Sequence, residues 1–189
     1  MIRRWLFELR YLFGDAPWDT GISPPELIDY LRTRSPGRAL DIGCGTGTNS
    51  MTMAGFGWTV LGIDISTLAI FKARRKARRS SADVRFRRGD VTQIDTGTKP
   101  YDFILDIGCF HAIPIEKQSE YIQELIASTR PGSDYLLYTW IKSNEGDPEF
   151  APAEADLRDR LEPTFKLLDV SYGSDHDRTS AWIFATRVD

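Results

Sequence analysis

The chain is poor in several things, and each shortage removes a class of function. Its 189 residues include two cysteines and two histidines. Cys44 and Cys109 stand far apart, with none of the paired Cys/His spacings that bind zinc. A disulfide-stapled scaffold and a metal centre are therefore not expected, and the two thiols read as reduced thiols of a cytoplasmic protein. No apolar run approaches the ~20 residues of a membrane span. Arg3 and Arg4 lead into no signal-peptide core or cleavage site. An excess of positive charge is missing too: 24 Lys and Arg face 27 Asp and Glu, a net charge of -3. Nucleic-acid binding usually needs the opposite balance, so no nucleic-acid partner is expected. Internal repeats and low-complexity tracts are absent. What remains is ordinary globular composition, 41% hydrophobic and 27% charged, expected to form a single domain over residues 1–189.

The most informative segment is Ala39-Leu40-Asp41-Ile42-Gly43-Cys44-Gly45-Thr46-Gly47. An apolar run ends in an acid and then in three alternating glycines. This reads as a strand entering a tight loop where backbone passes close to a ligand and needs positive φ. A dinucleotide fingerprint would place its third glycine at position 48, which is Thr48. A phosphate-cradling loop would end in Gly-Lys-Ser or Gly-Lys-Thr, and this loop has no lysine. The pattern suits a nucleoside ligand without a phosphate chain.

Three further strand-like runs follow, each ending in an acid. Thr59 to Ile63 leads into Asp64-Ile65-Ser66, Val84 to Arg88 into Gly89-Asp90-Val91, and Tyr101 to Leu105 into Asp106-Ile107-Gly108. With the glycine loop, these four segments resemble the class I S-adenosylmethionine (SAM) methyltransferases over nearly the whole chain. The resemblance implies a Rossmann-like α/β fold: a seven-stranded, mainly parallel sheet with helices on both faces and an antiparallel last strand. It implies SAM as cofactor, bound by Asp41, Gly43, Cys44, Gly45 and Gly47 in the loop. Asp64 and Ile65 would lie at the ribose, Asp90 and Val91 at the adenine, and Asp106 and Gly108 at the methionine end. Asp64 is expected at an exposed strand end. Asp95 competes with Asp90 by proximity.

Periodicity places the remaining elements. Ile2, Trp5, Leu6, Leu9, Leu12 and Phe13 recur at helical spacing and predict an amphipathic helix over 2–13, its apolar stripe packed on the domain. A second helix is expected from Glu26 to Arg34, stopped by Ser35-Pro36-Gly37. Residues 1–34 are read as a lid or substrate segment. Ser66 is a helix cap, and the basic run Lys72 to Arg79 closes that helix as a solvated face favoured by the helix dipole. Lys117 to Ser128 and Pro152 to Leu161 read as helices, and Asp134 to Trp140 as the fifth strand. Phe165 to Tyr172 and Ala181 to Val188 form a terminal pair joined by a polar turn, Gly173 to Thr179.

The segment Ala16-Pro17-Trp18-Asp19 resembles one that precedes the glycine loop in small-molecule methyltransferases of the thiopurine and tellurite-resistance type. This likeness implies that Trp18 lies at the cofactor, where an aromatic face attracts a sulfonium. His111 is the candidate catalytic residue, as a general base or as a loop-orienting group. Tyr11, Phe110, Tyr138 and Trp140 are candidates to line a compact acceptor pocket. His176 reads as solvated. The expected activity is in-line SN2 transfer of the SAM methyl group to a small, thiol-like acceptor. Alternatives are an RNA or protein methyltransferase using the basic helix, and a SAM-binding module without turnover.

Overall fold

The computed structural model describes residues 4–80, 82–94, 99–144, 147–148 and 150–188. Asp95, Ile2 and Arg3, invoked above, lie outside the described residues. The chain divides into two compact units, Met1–Val91 and Thr92–Asp189.

In the first unit, β1 (Arg38–Ile42), β2 (Thr59–Asp64) and β3 (Val84–Arg88) run parallel. Ala39 to Ile42 are all buried, as befits a strand covered on both faces. Helix α4 (Thr67–Ala77) packs Ile70 and Ala73 against Phe86 and Cys44. Ser66 caps it, accepting from the Ala69 N–H at 3.0 Å. Helix α2 (Pro25–Thr33) buries Leu27, Tyr30 and Leu31, with Tyr30 against Trp58. These three side chains are part of the core. Helix α3 (Thr48–Gly55) follows the glycine loop. It had no periodic signal, because Thr48-Asn49-Ser50 are weak helix formers.

Helix α1 (Arg4–Phe13) forms where expected but docks by the unexpected face. Trp5, Leu6, Leu9, Leu12 and Phe13 are exposed, Phe13 at 76%. Glu8 and Tyr11 face the domain instead, through hydrogen bonds described below. Polar anchoring overrides the apolar stripe.

In the second unit, β4 (Phe103–Ile107) pairs in parallel with β5 (Asp134–Trp140). Strand β7 (Arg178–Arg187) runs antiparallel between β5 and β6 (Phe165–Asp175). The seven strands have the order β3-β2-β1-β4-β5-β7-β6, with the last antiparallel, as the fold class requires. Helix α5 (Gln118–Ser128) buries Tyr121, Ile122 and Leu125, and α6 (Glu154–Leu161) buries Leu157 and Leu161. The expected turn over 173–179 is corrected. Pairing continues to Asp175 and Arg178, leaving His176 and Asp177 as a two-residue turn at φ 50° and 63°. Positive φ at both central residues marks a tight hairpin turn matched to strand twist.

Gly47, at φ +84°, begins α3, and a Cβ there would lie 2.5 Å from the Phe86 ring. Its glycine requirement is thus set by the protein's own core. Gly47→Ala is expected to lower the unfolding free energy by ~1–3 kcal/mol through strain and overpacking. Phe86→Leu in the same chain should recover part of the loss in urea denaturation. An unchanged midpoint for Gly47→Ala would contradict this packing.

Candidate functional site

The glycine loop is fixed by carboxylates before any ligand is considered. Asp41 is buried at the end of β1 and accepts from the Ser50 hydroxyl at 2.5 Å, tying the strand to α3. Asp64 accepts the Gly45 N–H at 2.9 Å and the Ser66 N–H at 2.7 Å. It is 8% exposed, which corrects the expected open strand end. Burial pushes its carboxyl up and the Ser66 and Gly45 N–H bonds pull it down, while the nearby Glu8 charge raises it further. Gly43, Gly45 and Gly47 all have positive φ. The Cys44 side chain turns into the core beside Ile70, Ala73 and Phe86, so only its backbone can serve a ligand.

The N-terminal segment reaches this loop. Trp18 Nε1 donates to the Tyr11 hydroxyl at 2.9 Å, and a Cβ on Gly45 would stand 2.8 Å from that hydroxyl. Tyr11, expected to line the acceptor pocket, is therefore buried against the glycine loop. Burial pushes its phenol up, with Asp64 adding to the effect. Trp18 stays 46% exposed, with Phe7 and Tyr11 edge-on and Arg10 over its ring.

Sequence reasoning missed Glu8. Its carboxylate accepts from the Ser66 hydroxyl and from the Thr67 and Leu68 N–H groups, at 2.9, 2.6 and 3.1 Å. This anion sits on the N-terminus of α4, where orphan N–H groups and the dipole favour it. Also missed was a chain in which Lys76 donates to the Thr46 hydroxyl and Thr46 donates to Asp19, each at 2.6 Å. Lys72 donates to the Tyr11 carbonyl, and Arg74 to the Phe86 carbonyl. The run keeps a solvated face, with Arg74, Arg75, Lys76, Arg78 and Arg79 exposed, while Lys72, Arg74 and Lys76 also anchor other segments. Nothing in the local pattern marks these pairings, because the partners lie 12–61 positions apart.

These surroundings fit a cationic nucleoside ligand. Carboxylates of Asp41, Asp64, Asp19 and Glu8 crowd the loop and its borders, which disfavours a phosphate chain. Two buried side-chain oxygens just past the loop, Thr48 Oγ1 and Asn49 Oδ1, are unpartnered among the described residues. Ile65 is 37% exposed after β2, and after β3 Asp90 is half-buried and Val91 buried.

In the second unit, Asp106 has no exposure at all. It accepts from the Cys109 N–H at 2.8 Å, the Phe110 N–H at 3.3 Å and the Tyr121 hydroxyl at 2.7 Å, and Tyr121 in turn meets the Tyr135 hydroxyl at 3.0 Å. Burial pushes the Asp106 carboxyl up to about 7, against the pull of those bonds. These three bonds all come from the protein and fix the loop that follows β4. The carboxylate holds the turn Phe110–Ala112 that carries His111. Phe110 is consequently turned inward, 0% exposed and edge-on to Tyr121, so it lines no open pocket. Gly108, at φ +82°, lies close to the His111 ring; a Cβ there would be 3.4 Å from Cε1.

His111 Nδ1 accepts the Trp140 backbone N–H at 3.1 Å. A backbone N–H can only donate, so Nδ1 carries a lone pair and the neutral ring holds its proton on Nε2. A second proton at Nδ1 would face the Trp140 N–H. With Nδ1 engaged in this way, the ring presents Nε2–H as a donor, and a base at Nε2 would require the other tautomer. Trp140 stacks on the imidazole, with centroids 4.2 Å apart and planes within 8°. Tyr138 packs on Trp182 across the strand pair. His176 is in the hairpin turn, exposed and bonded to Asp175 at 2.7 Å. Among the described residues no cluster of three or more His, Cys, Asp or Glu could hold a metal ion, and no helix is long and apolar enough to cross a membrane.

Comparison with known proteins finds methyltransferase relatives. The family described as a methyltransferase domain matches residues 39–132. An uncharacterized methyltransferase of Schizosaccharomyces pombe is 39% identical over 106 residues, 56% of this chain and 73% of the relative. The 2-heptyl-1-hydroxyquinolin-4(1H)-one methyltransferase of Mycobacteroides abscessus is 26% identical, over 85% of this chain and 73% of its own. Thiocyanate methyltransferase 1 of Brassica oleracea is 28% identical, over 83% and 72%. Among solved structures, the magnesium protoporphyrin IX methyltransferase of Synechocystis PCC 6803 with bound SAH superposes with a TM-score of 0.78 at 20% identity, over 98% of each chain.

The Glu8 contact yields a pH test. Burial raises the Glu8 carboxyl, but bonds from Thr67, Leu68 and Ser66 outweigh this and hold it below its ordinary value. A depressed folded value means that the anchor is complete above the ordinary glutamate range and lost as pH falls through the folded value. An anion at a half-exposed helix N-terminus contributes ~0.3–1 kcal/mol. Glu8→Gln should therefore speed hydrogen exchange of the Thr67 and Leu68 amides about 2- to 5-fold at neutral pH. The wild type should show a similar excess in acid after correction for intrinsic exchange. Unchanged protection in the variant would contradict the anchor.

Proposed function

We propose that this chain, which belongs to the class I SAM-dependent methyltransferases, methylates a small, soft nucleophile of the thiol or thiocyanate kind that arrives already as an anion. That it is an enzyme using SAM to methylate small molecules follows from its family and relatives. The acceptor class and in-line SN2 geometry are our reading. SAM, when bound, supplies a methyl group made electrophilic by its sulfonium.

The chain's own residues hold the reactants and exclude water. We assign cofactor binding to the backbone of Gly43 to Gly47, to Asp64 and Ile65, to Asp90 and Val91, and to Gly108 and the Trp18 face. Asp41 and Asp106 act behind them by fixing loops. We assign residues 1–34 as the segment that covers the cofactor, with α1 as its moving part and α2 as its anchor in the core. Acceptor contact is assigned to His111, Tyr138 and Trp140.

The observation that carries the acceptor class is the Trp140 N–H on His111 Nδ1. It leaves Nε2–H as a donor and disfavours His111 as a base. A hydroxyl or amine must lose a proton to react well, whereas thiocyanate is an anion and a thiol ionises near neutrality. A donor on the nucleophilic anion orients it without having to deprotonate it. The relative that methylates thiocyanate supports the same class.

Methyl transfer from labelled SAM should be measured for thiocyanate, a small thiol, an N-hydroxyquinolone, an amine and a short RNA. Turnover of the anionic small molecules supports the reading. Turnover confined to the amine or the RNA, or binding of SAM without any transfer, rejects it. On the best acceptor, His111→Ala should lose about tenfold in kcat/KM, the lower range for a hydrogen bond to a charged group, and the loss should lie in KM. His111→Gln, which keeps a donor, should recover most of it. A general base would instead cost ~10²–10⁴-fold in kcat for both variants.

A further inference from the structure

The tip of the β6–β7 hairpin lies far along the chain from His111, yet it grips the residue on which His111 rests. Trp140 Nε1 donates to Asp175 Oδ2 at 3.0 Å. The Arg178 guanidinium carbon lies over the Trp140 ring, 4.3 Å from its centroid. His111 stacks at 4.2 Å. Two groups cannot share one ring face at these distances, so the imidazole and the guanidinium take opposite faces. Phe150 lies 5.8 Å away at a 46° tilt. The indole is thus held on both faces and at its N–H edge.

The register that makes this possible has a cost. Asp175 and Arg178 are the last paired residues of the hairpin, and closing it behind them puts two non-glycine residues at positive φ. A glycine at either place would relieve the turn. The imidazole is met at Nδ1 by the Trp140 backbone N–H and, at 3.5 Å, by the Thr139 hydroxyl, and across its plane by the Trp140 indole. The backbone bond fixes the position of Nδ1, and the stacked indole fixes the tilt of the ring about it and with that the direction of Nε2–H.

We propose that Asp175 and Arg178 are positioning residues for His111, acting through Trp140 and touching neither acceptor nor cofactor. Asp175 fixes the rotation of the indole in its plane. Arg178 presses it onto the imidazole, with a planar cation suited to stacking on an indole. The effect on acceptor affinity rests on the donor role of His111 proposed above; the clamp itself does not.

The test uses the full chain with Arg178→Met, Arg178→Lys and Asp175→Ala. Proton NMR reads the His111 ring resonances, which the stacked indole displaces by its ring current, and kinetics with thiocyanate read KM and kcat. Arg178→Met and Asp175→Ala, which has no acceptor for the indole N–H, should move the His111 resonances toward unstacked values. They should raise the thiocyanate KM about 3- to 10-fold, with kcat, SAM affinity and the circular dichroism spectrum unchanged. Arg178→Lys, which keeps the cation but not the plane, should fall between. In a His111→Ala background Arg178→Met should have no further effect on KM, since coupled residues are not additive. Unmoved His111 resonances in a folded variant overturn the clamp, and so does an equal KM loss with or without His111. Moved resonances with unchanged KM uphold the clamp and reject the donor role of His111.

Discussion

The hydrogen bonds from Gly45 and Ser66 N–H to the buried carboxylate of Asp64 are the constraint on which the first unit depends. A carboxylate this deeply buried is tolerated only if donors replace its lost water, and two backbone N–H groups do so. In return they fix where the glycine loop leaves β1 and where α4 begins. The same solution appears after β4, where Asp106 takes the Cys109 and Phe110 N–H groups and the Tyr121 hydroxyl. In both places an acid at the carboxyl end of a strand sets the shape of the loop beside it. Open α/β sheets bind ligands at that edge, and both acids shape loops there.

Much of the architecture was legible because strands and helices announce themselves locally. Residues 39–47 showed the strand and its loop, Ser66 showed its cap, and α5 and β5 had clean periods bounded by Pro131-Gly132. The hairpin was misread at its tip because Gly173, Ser174, Asp175 and Thr179 look like turn residues. Cross-strand pairing overrides their propensity. Helix α1 was located but inverted. An apolar stripe is a good guide when burial drives docking, but here Glu8 and Tyr11 bind specific groups on the domain and leave Leu12 and Phe13 outside.

The candidate site was legible in its motifs and less so in its roles. Residue types at the glycine loop and after β2 and β3 were enough to suggest a nucleoside ligand. Whether an acid meets solvent or backbone depends on chain folded elsewhere, as with Asp64 and Asp106. Phe110 is an aromatic in a ligand-edge turn, yet the Asp106 carboxylate turns it into the core. The tautomer of His111 was invisible, because its determinant is a backbone N–H 29 positions away. That single donor is what the sequence reading lacked when it named His111 as a base or as a loop-orienting group.

The central claim is that His111 offers Nε2–H and does not accept a proton from the acceptor. Long-range proton–nitrogen correlation spectra of the imidazole, recorded where the ring is neutral, test it most directly. The account predicts a proton on Nε2 and a bare Nδ1, with the Trp140 amide showing the coupling of an N–H···N bond. A neutral ring protonated on Nδ1, with Nε2 free to act as base, would contradict it.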